Sequence, residues 1–266
     1  MVNQMNKITI NTDEEFPVLA DAPIAEAVID LRAFPSNVFE EAAVKSSLEK
    51  KLGGYSFLDS HREIHYEVRS EGEKPPEQSI RDLGWRGVRF QSTDQKNLAQ
   101  FNRDGFAFSR LEPYDNWQSF FQEGKFVWSV FKDIAAPITI DRIGLRFINR
   151  IQLPPGEMNF EQYITNAPAP PSGLDLPFFG FMHQETLAVP GHPYAINLIK
   201  TIQQPQNPAD NGVSIILDID VFTFQPIAQQ VENDDNTLSQ MLNEMRWLKD
   251  KTFFGSITDK GLERFR

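Results

Sequence analysis

The stretch DRIGLRFINRIQL, residues 141–153, decides the fold. Arg142, Arg146 and Arg150 fall at even spacings, so in an extended chain all three point to one side. Ile143, Leu145, Phe147 and Ile151 point to the other. One charged face and one apolar face is the pattern of a strand in an antiparallel sheet that packs one side on a core. Residues 213–224, VSIILDIDVFTF, repeat the pattern with the opposite sign of charge. Asp218 and Asp220 share one face there, and Ile215, Leu217, Ile219 and Val221 share the other. Residues 25–33, AEAVIDLRA, give a third such strand, with Glu26, Val28, Asp30 and Arg32 opposite Ala27, Ile29 and Leu31.

Working outward, strands are predicted over residues 62–68, 84–92, 98–111, 178–189 and 194–203. The segments 70–78, 167–177 and 203–212 read as loops from their Pro, Gly and charge content. A helix is predicted over 37–52, with Asn37 and Glu40 at capping-box spacing, Gly53–Gly54 as the stop, and Phe39, Ala42, Ala43 and Leu52 facing inward. A second, over 116–133 with Asp115 as cap, carries Trp117, Phe120, Phe121, Val127, Trp128 and Phe131 and is interrupted by Gly124. A third, over 237–251 and capped by Asp235 or Asn236, presents Leu238, Met241, Leu242, Met245 and Leu248. A short helix is predicted after Ser256. These elements specify an α+β fold with a largely antiparallel sheet and helices on one side. Residues 1–22 form a polar lead-in and 23–266 a single domain. The element order also admits two related β-α-β-β-β-α-like halves, 23–153 and 154–266, although no internal sequence repeat is visible.

The 266 residues hold 26 Lys and Arg, 37 Asp and Glu, and no Cys, which removes disulfides, thiolate nucleophiles and Cys-ligated metals. The charge is unevenly spread. Residues 151–245 carry one basic residue, Lys200, against 11 acidic ones. That balance disfavours nucleic acid as a direct ligand and suits a basic protein partner. The start of the chain has no apolar run behind a basic segment, and no stretch reaches the roughly 18 apolar residues of a membrane span, so a cytoplasmic protein without membrane contact is expected.

Two readings of the charged strand faces stand side by side. In the first, Arg and carboxylate rows pair across an outer sheet face and serve the structure. In the second, they line a groove for an anionic, phosphate-bearing small molecule. Arg142, Arg146 and Arg150 would then hold oxyanions, Asp218 and Asp220 would bind a divalent metal or act as base, and Glu26 and Asp30 would tune them. Two carboxylates at i, i+2 are a thin metal site, and no cofactor is expected. His61 and His65, in HREIH, share a face but lack convergent ligands and the HExxH spacing. No nucleophile elbow and no glycine-rich phosphate loop occurs. The 22 Phe read as core, or as an oligomer face around Phe178, Phe179 and Phe181, which leaves a homo-oligomer open.

Five phrases together, PIAEAVIDLR (23–32), FSRLEPYDNW (108–117), RIGLRFINRIQLP (142–154), LDIDVF (217–222) and KTFFGSIT (251–258), resemble those of a sporadically distributed bacterial family of about this length with no assigned function. The resemblance spans residues 23–265. It implies a bacterial intracellular protein, and a patchy distribution is typical of mobile toxin–antitoxin and phage-defence modules. It supplies no catalytic residues. The sequence therefore leads to a non-catalytic binding protein, with an enzyme or sensor for an anionic small molecule as the alternative.

Overall fold

The computed structural model describes residues 7–69, 72, 77–154, 159–174, 176, 178–204, 212–224 and 235–266. The first run is β1 (Ile24–Arg32), α1 (Glu41–Lys51), β2 (Tyr55–Arg69), β3 (Glu77–Ser92), β4 (Asn97–Asn102), β5 (Gly105–Leu111) and α2 (Trp117–Ala135). The second is β6 (Arg142–Gln152), β7 (Met182–Ala188), β8 (Tyr194–Gln203), β9 (Ser214–Thr223), α3 (Asp235–Ser256) and α4 (Asp259–Leu262).

The nine strands among the described residues join one antiparallel sheet in the order β2-β3-β4-β5-β1-β6-β9-β8-β7. β1 and β6 lie side by side at the centre. After each of them the chain travels to a far edge and meanders back to pair with the strand it left. A helix then packs beneath the returning strand, α2 under β5 and α3 under β9 and β6. The two runs thus share a topological plan, and that plan divides the chain before β6.

Alternation fixes which face is buried. Ala27, Ile29 and Leu31 of β1, Ile143, Leu145 and Phe147 of β6, and Leu217, Ile219 and Val221 of β9 all lie in the core. The aromatic face of α2 completes it. Trp128 and Phe131 stack at 5.4 Å, and Phe131 meets Phe101 and Phe106 of the sheet at 6.4 and 6.2 Å. Gly124 sits where α2 comes closest: a Cβ there would lie 2.8 Å from Ile29 Cδ1.

Several boundaries differ from the sequence reading, each for a physical reason. α1 starts at Glu41, because Asn37 is drawn away from a capping role and its amide donates to the Ile134 carbonyl at 3.3 Å. Its buried residues are Val44 and Leu48, and Ala42 and Ala43 face solvent. Asn116 caps α2 by accepting from the Ser119 N–H at 2.9 Å, while Asp115 takes Arg110 at 2.6 Å. The single strand expected over 98–111 is the hairpin β4–β5. Gly105 turns it at φ +150°, with no room for a side chain against the Leu31 carbonyl. Part of the expected loop 203–212 and the proposed cap position 235 fall on residues or side chains outside those described.

Candidate functional site

The charged rows meet on the sheet face that the described helices leave uncovered. β1 pairs with β6 so that Asp30 stands opposite Gly144, and β6 pairs with β9 so that Arg146 stands opposite Asp220. The side chains then reach past their direct neighbours. Arg142 lies back along its own strand over Gly144, where a Cβ would come within 2.6 Å of its Nη1. From there it donates to Asp30 on β1 and, at 3.0 Å, to Asp220 on β9, with its guanidinium 5.0 Å from the Phe222 ring centroid. Arg146 closes a two-point fork on Asp218, Nε to Oδ1 at 2.8 Å and Nη2 to Oδ2 at 2.5 Å. Arg150 pairs with Glu112, just beyond β5, through Nη2 at 2.6 Å.

Of the seven candidate residues, the structure brings Arg142, Arg146, Asp218, Asp220 and Asp30 together in a lattice of two adjacent ion-pair groups, Asp30–Arg142–Asp220 and Arg146–Asp218. Glu26 adds negative charge beside Arg146 without closing an ion pair among the described residues. Arg150 leaves the lattice for Glu112, a partner that nothing in the strand pattern identified. Burial raises the Asp220 carboxyl above the ordinary aspartate value, against the pull of Arg142 and Arg146. Burial raises Asp30 as well, against Arg142 and Arg32. The fork onto Asp218 raises Arg146 further above the ordinary arginine value.

This arrangement is poor in free chemistry. Every guanidinium of the row is already neutralised by a carboxylate of the chain, so an oxyanion would have to displace an internal partner. Among the described residues no group of three or more His, Asp and Glu side chains converges as a metal site. His61 and His65 stand on the outer face of β2. His61 lies 3.9 Å from Asp59, too far for more than a weak interaction.

Cavities lie elsewhere. A cleft of about 500 Å³ opens at one end of β6, between the lead-in at Asp21–Ile24, Glu112 to Tyr114, and Arg264 and Phe265 near the C-terminus; Arg150 and Gln152 line it too. Arg264 makes no ion pair among the described residues.

The acidic excess of residues 151–245 does not form one patch among the described residues. Asp218 and Asp220 are spent on arginines of β6, and Glu244 accepts from Tyr194 at 2.6 Å. Glu161 and Glu185 remain solvent-facing, and the other acidic side chains of the region lie outside those described. The Phe-rich segment divides: Phe160, Phe178 and Phe181 pack on one another at 5.3–6.3 Å, and Phe179 projects into solvent. No helix among the described residues is long and apolar enough to cross a membrane. No protein-family model matches the chain, and no curated protein matches it.

Proposed function

We propose that this chain is a non-catalytic interaction protein that binds another protein. The observation that carries the reading is the state of the Arg/Asp lattice. The side chains able to bind or activate a small anion are committed to one another across β1, β6 and β9. Large apolar side chains, by contrast, stand in solvent at the β7 end of the sheet: Phe179, Met182 and Leu187. Of the acidic excess of 151–245, Glu161 and Glu185 face solvent among the described residues, and these suit a basic partner. The resemblance to a patchily distributed bacterial family supports a place in a mobile toxin–antitoxin or phage-defence module.

One observation favours a second reading, a sensor or enzyme for an anionic small molecule: the cleft that holds both Arg150 and Arg264, the latter with no ion pair among the described residues. Thermal unfolding with Mg²⁺, Mn²⁺, inorganic phosphate and nucleotides separates the two. A ligand at 100 times its dissociation constant adds about 2.7 kcal/mol of stability. The interaction reading predicts no shift with any of them. A shift that Arg264→Ala abolishes would replace it with the second reading.

A further inference from the structure

The β2–β3 hairpin outgrows the body of the protein. β2 runs 15 residues and β3 16, whereas β4, their neighbour in the sheet, runs six. Near its root the ribbon is covered on the helix side, with Ser60 donating to Glu41 of α1 at 2.6 Å. Past that point the same face continues through Ile64, Tyr66 and Val68, with Ile80 paired across to Tyr66, and nothing described covers it. These side chains are 63%, 54%, 52% and 72% exposed. β2 is also the edge of the sheet, so its outer row of backbone N–H and C=O groups pairs with no described strand.

Proteins ordinarily guard such an edge with charge. Here the charges and the apolar side chains together favour one pairing, since an axis at Ile64 also matches the charges but sets Tyr66 against Arg62 and Val68 against Ser60. Placing a two-fold axis at Tyr66 sets the segment 63–69, EIHYEVR, antiparallel to itself. Glu63 then faces Arg69 of the second copy, Ile64 faces Val68, His65 faces Glu67, and Tyr66 faces Tyr66. Each apolar residue meets an apolar one on the helix-side face. On the other face each carboxylate meets a cation or an imidazole. Moving the axis to His65 sets Glu63 against Glu67, and moving it to Glu67 sets that residue against itself. The bulges of the hairpin leave the segment free to pair. Beyond Asp59 the extra residues, Arg86 and Leu83, fall on β3, and β2 runs unbroken to Arg69. At the opposite edge, a two-fold at the centre of β7 places Glu185 against Glu185.

We propose that two copies of this chain associate through β2, in an isologous antiparallel ladder centred on Tyr66 that extends the sheet from one copy into the next. The occupant is a second copy because the segment is complementary to itself in both shape class and charge. The existing contacts of the charged residues are exposed surface pairs. Arg69 meets Glu67 at 2.9 Å and Glu63 meets Arg86 at 3.1 Å, so rearranging them costs little. Seven residues per copy make a short ladder, so the dimer is weak and concentration-dependent. The proposal stands on the ribbon alone and does not depend on a partner protein.

Sedimentation across a dilution series tests it, using the whole chain, Glu63→Arg, Arg69→Glu and their equimolar mixture. The unaltered chain should pass from monomer to dimer as concentration rises. Each charge reversal sets like charges opposite one another twice per dimer and should raise the dissociation constant about tenfold or more. The mixture restores both pairs and should recover the dimer as a one-to-one heterodimer. Circular dichroism checks that each variant is folded, and Tyr66→Ser, which alters no charge, should also weaken association. A chain that stays monomeric at every concentration would overturn the proposal. So would a dimer indifferent to all three changes, or a mixture no more associated than its components.

Discussion

Arg146 grips Asp218 with two nitrogens across the β6–β9 seam, although the strand register sets it directly opposite Asp220. The two partners differ in burial, with side-chain exposures of 47% for Arg146 and 10% for Asp218. That difference makes their removal unequal. Arg146→Ala strands a buried carboxylate and should cost about 2–3 kcal/mol. Asp218→Ala leaves a guanidinium that can turn into water and should cost about 1 kcal/mol. Chemical unfolding of both variants measures the order. Equal losses, or the reverse order, would remove the structural account of the lattice.

Gly144 holds a place open for Arg142. A Cβ at Gly144 would collide with the guanidinium that bridges Asp30 and Asp220. Gly144→Ala should therefore cost about 1 kcal/mol by displacing those hydrogen bonds. Combined with Arg142→Ala it should add almost nothing further, because both changes remove the same contacts. Additive losses in the double-mutant cycle would show that Arg142 does not rest over Gly144.

The lattice also has a pH signature. Asp220 holds its proton to higher pH in the folded chain than in the unfolded chain, where the ordinary value is 3.8. Its contribution to stability is thus complete below that value and is lost as pH rises through its folded value. Glu14, Asp59, Asp82 and Asp94, which cationic or hydrogen-bonding neighbours lower, act in the opposite sense and lose their contribution as pH falls. Asp220→Asn removes the first effect alone. Its stability relative to the parent should be more favourable near neutral pH than near pH 4. Asp30 is the more open of the two raised carboxylates, at 44% against 21% side-chain exposure, so Asp30→Asn should show a smaller change of the same sign. Unfolding curves over a pH series check both.

Gly124 is a poor helix residue in the middle of α2, and the fold needs it. Alanine would gain up to about 1 kcal/mol of helix propensity but would press on Ile29 and Phe108. Overpacking of this kind costs about 1–3 kcal/mol, so Gly124→Ala should be net destabilising in thermal unfolding.

What could be read from the sequence was what strand geometry imposes. The even spacing of Arg142, Arg146 and Arg150, and of Asp218 and Asp220, put each set on one face. The stripes of α2 and α3 located the helices that cover the other. The strand neighbours were not legible. The pairing of Arg150 with Glu112, and the reach of Arg142 to Asp30 and Asp220, depend on contacts between residues far apart in the chain. The start of α1 was not legible, because Asn37 satisfies a carbonyl of α2 in place of capping its own helix. The alternation of Ile64, Tyr66 and Val68 was visible as a strand. Its exposure was not, because that depends on α1 stopping short of the ribbon.

Native mass spectrometry of the protein, purified gently from cells that carry its neighbouring genes, tests the central claim most directly. The account predicts added mass equal to a different polypeptide, distinct from a multiple of the chain's own mass. A chain that instead carries a small anion or a metal, released when Arg150 or Arg264 is replaced by alanine, would contradict it and make the cleft at the end of β6 the working site.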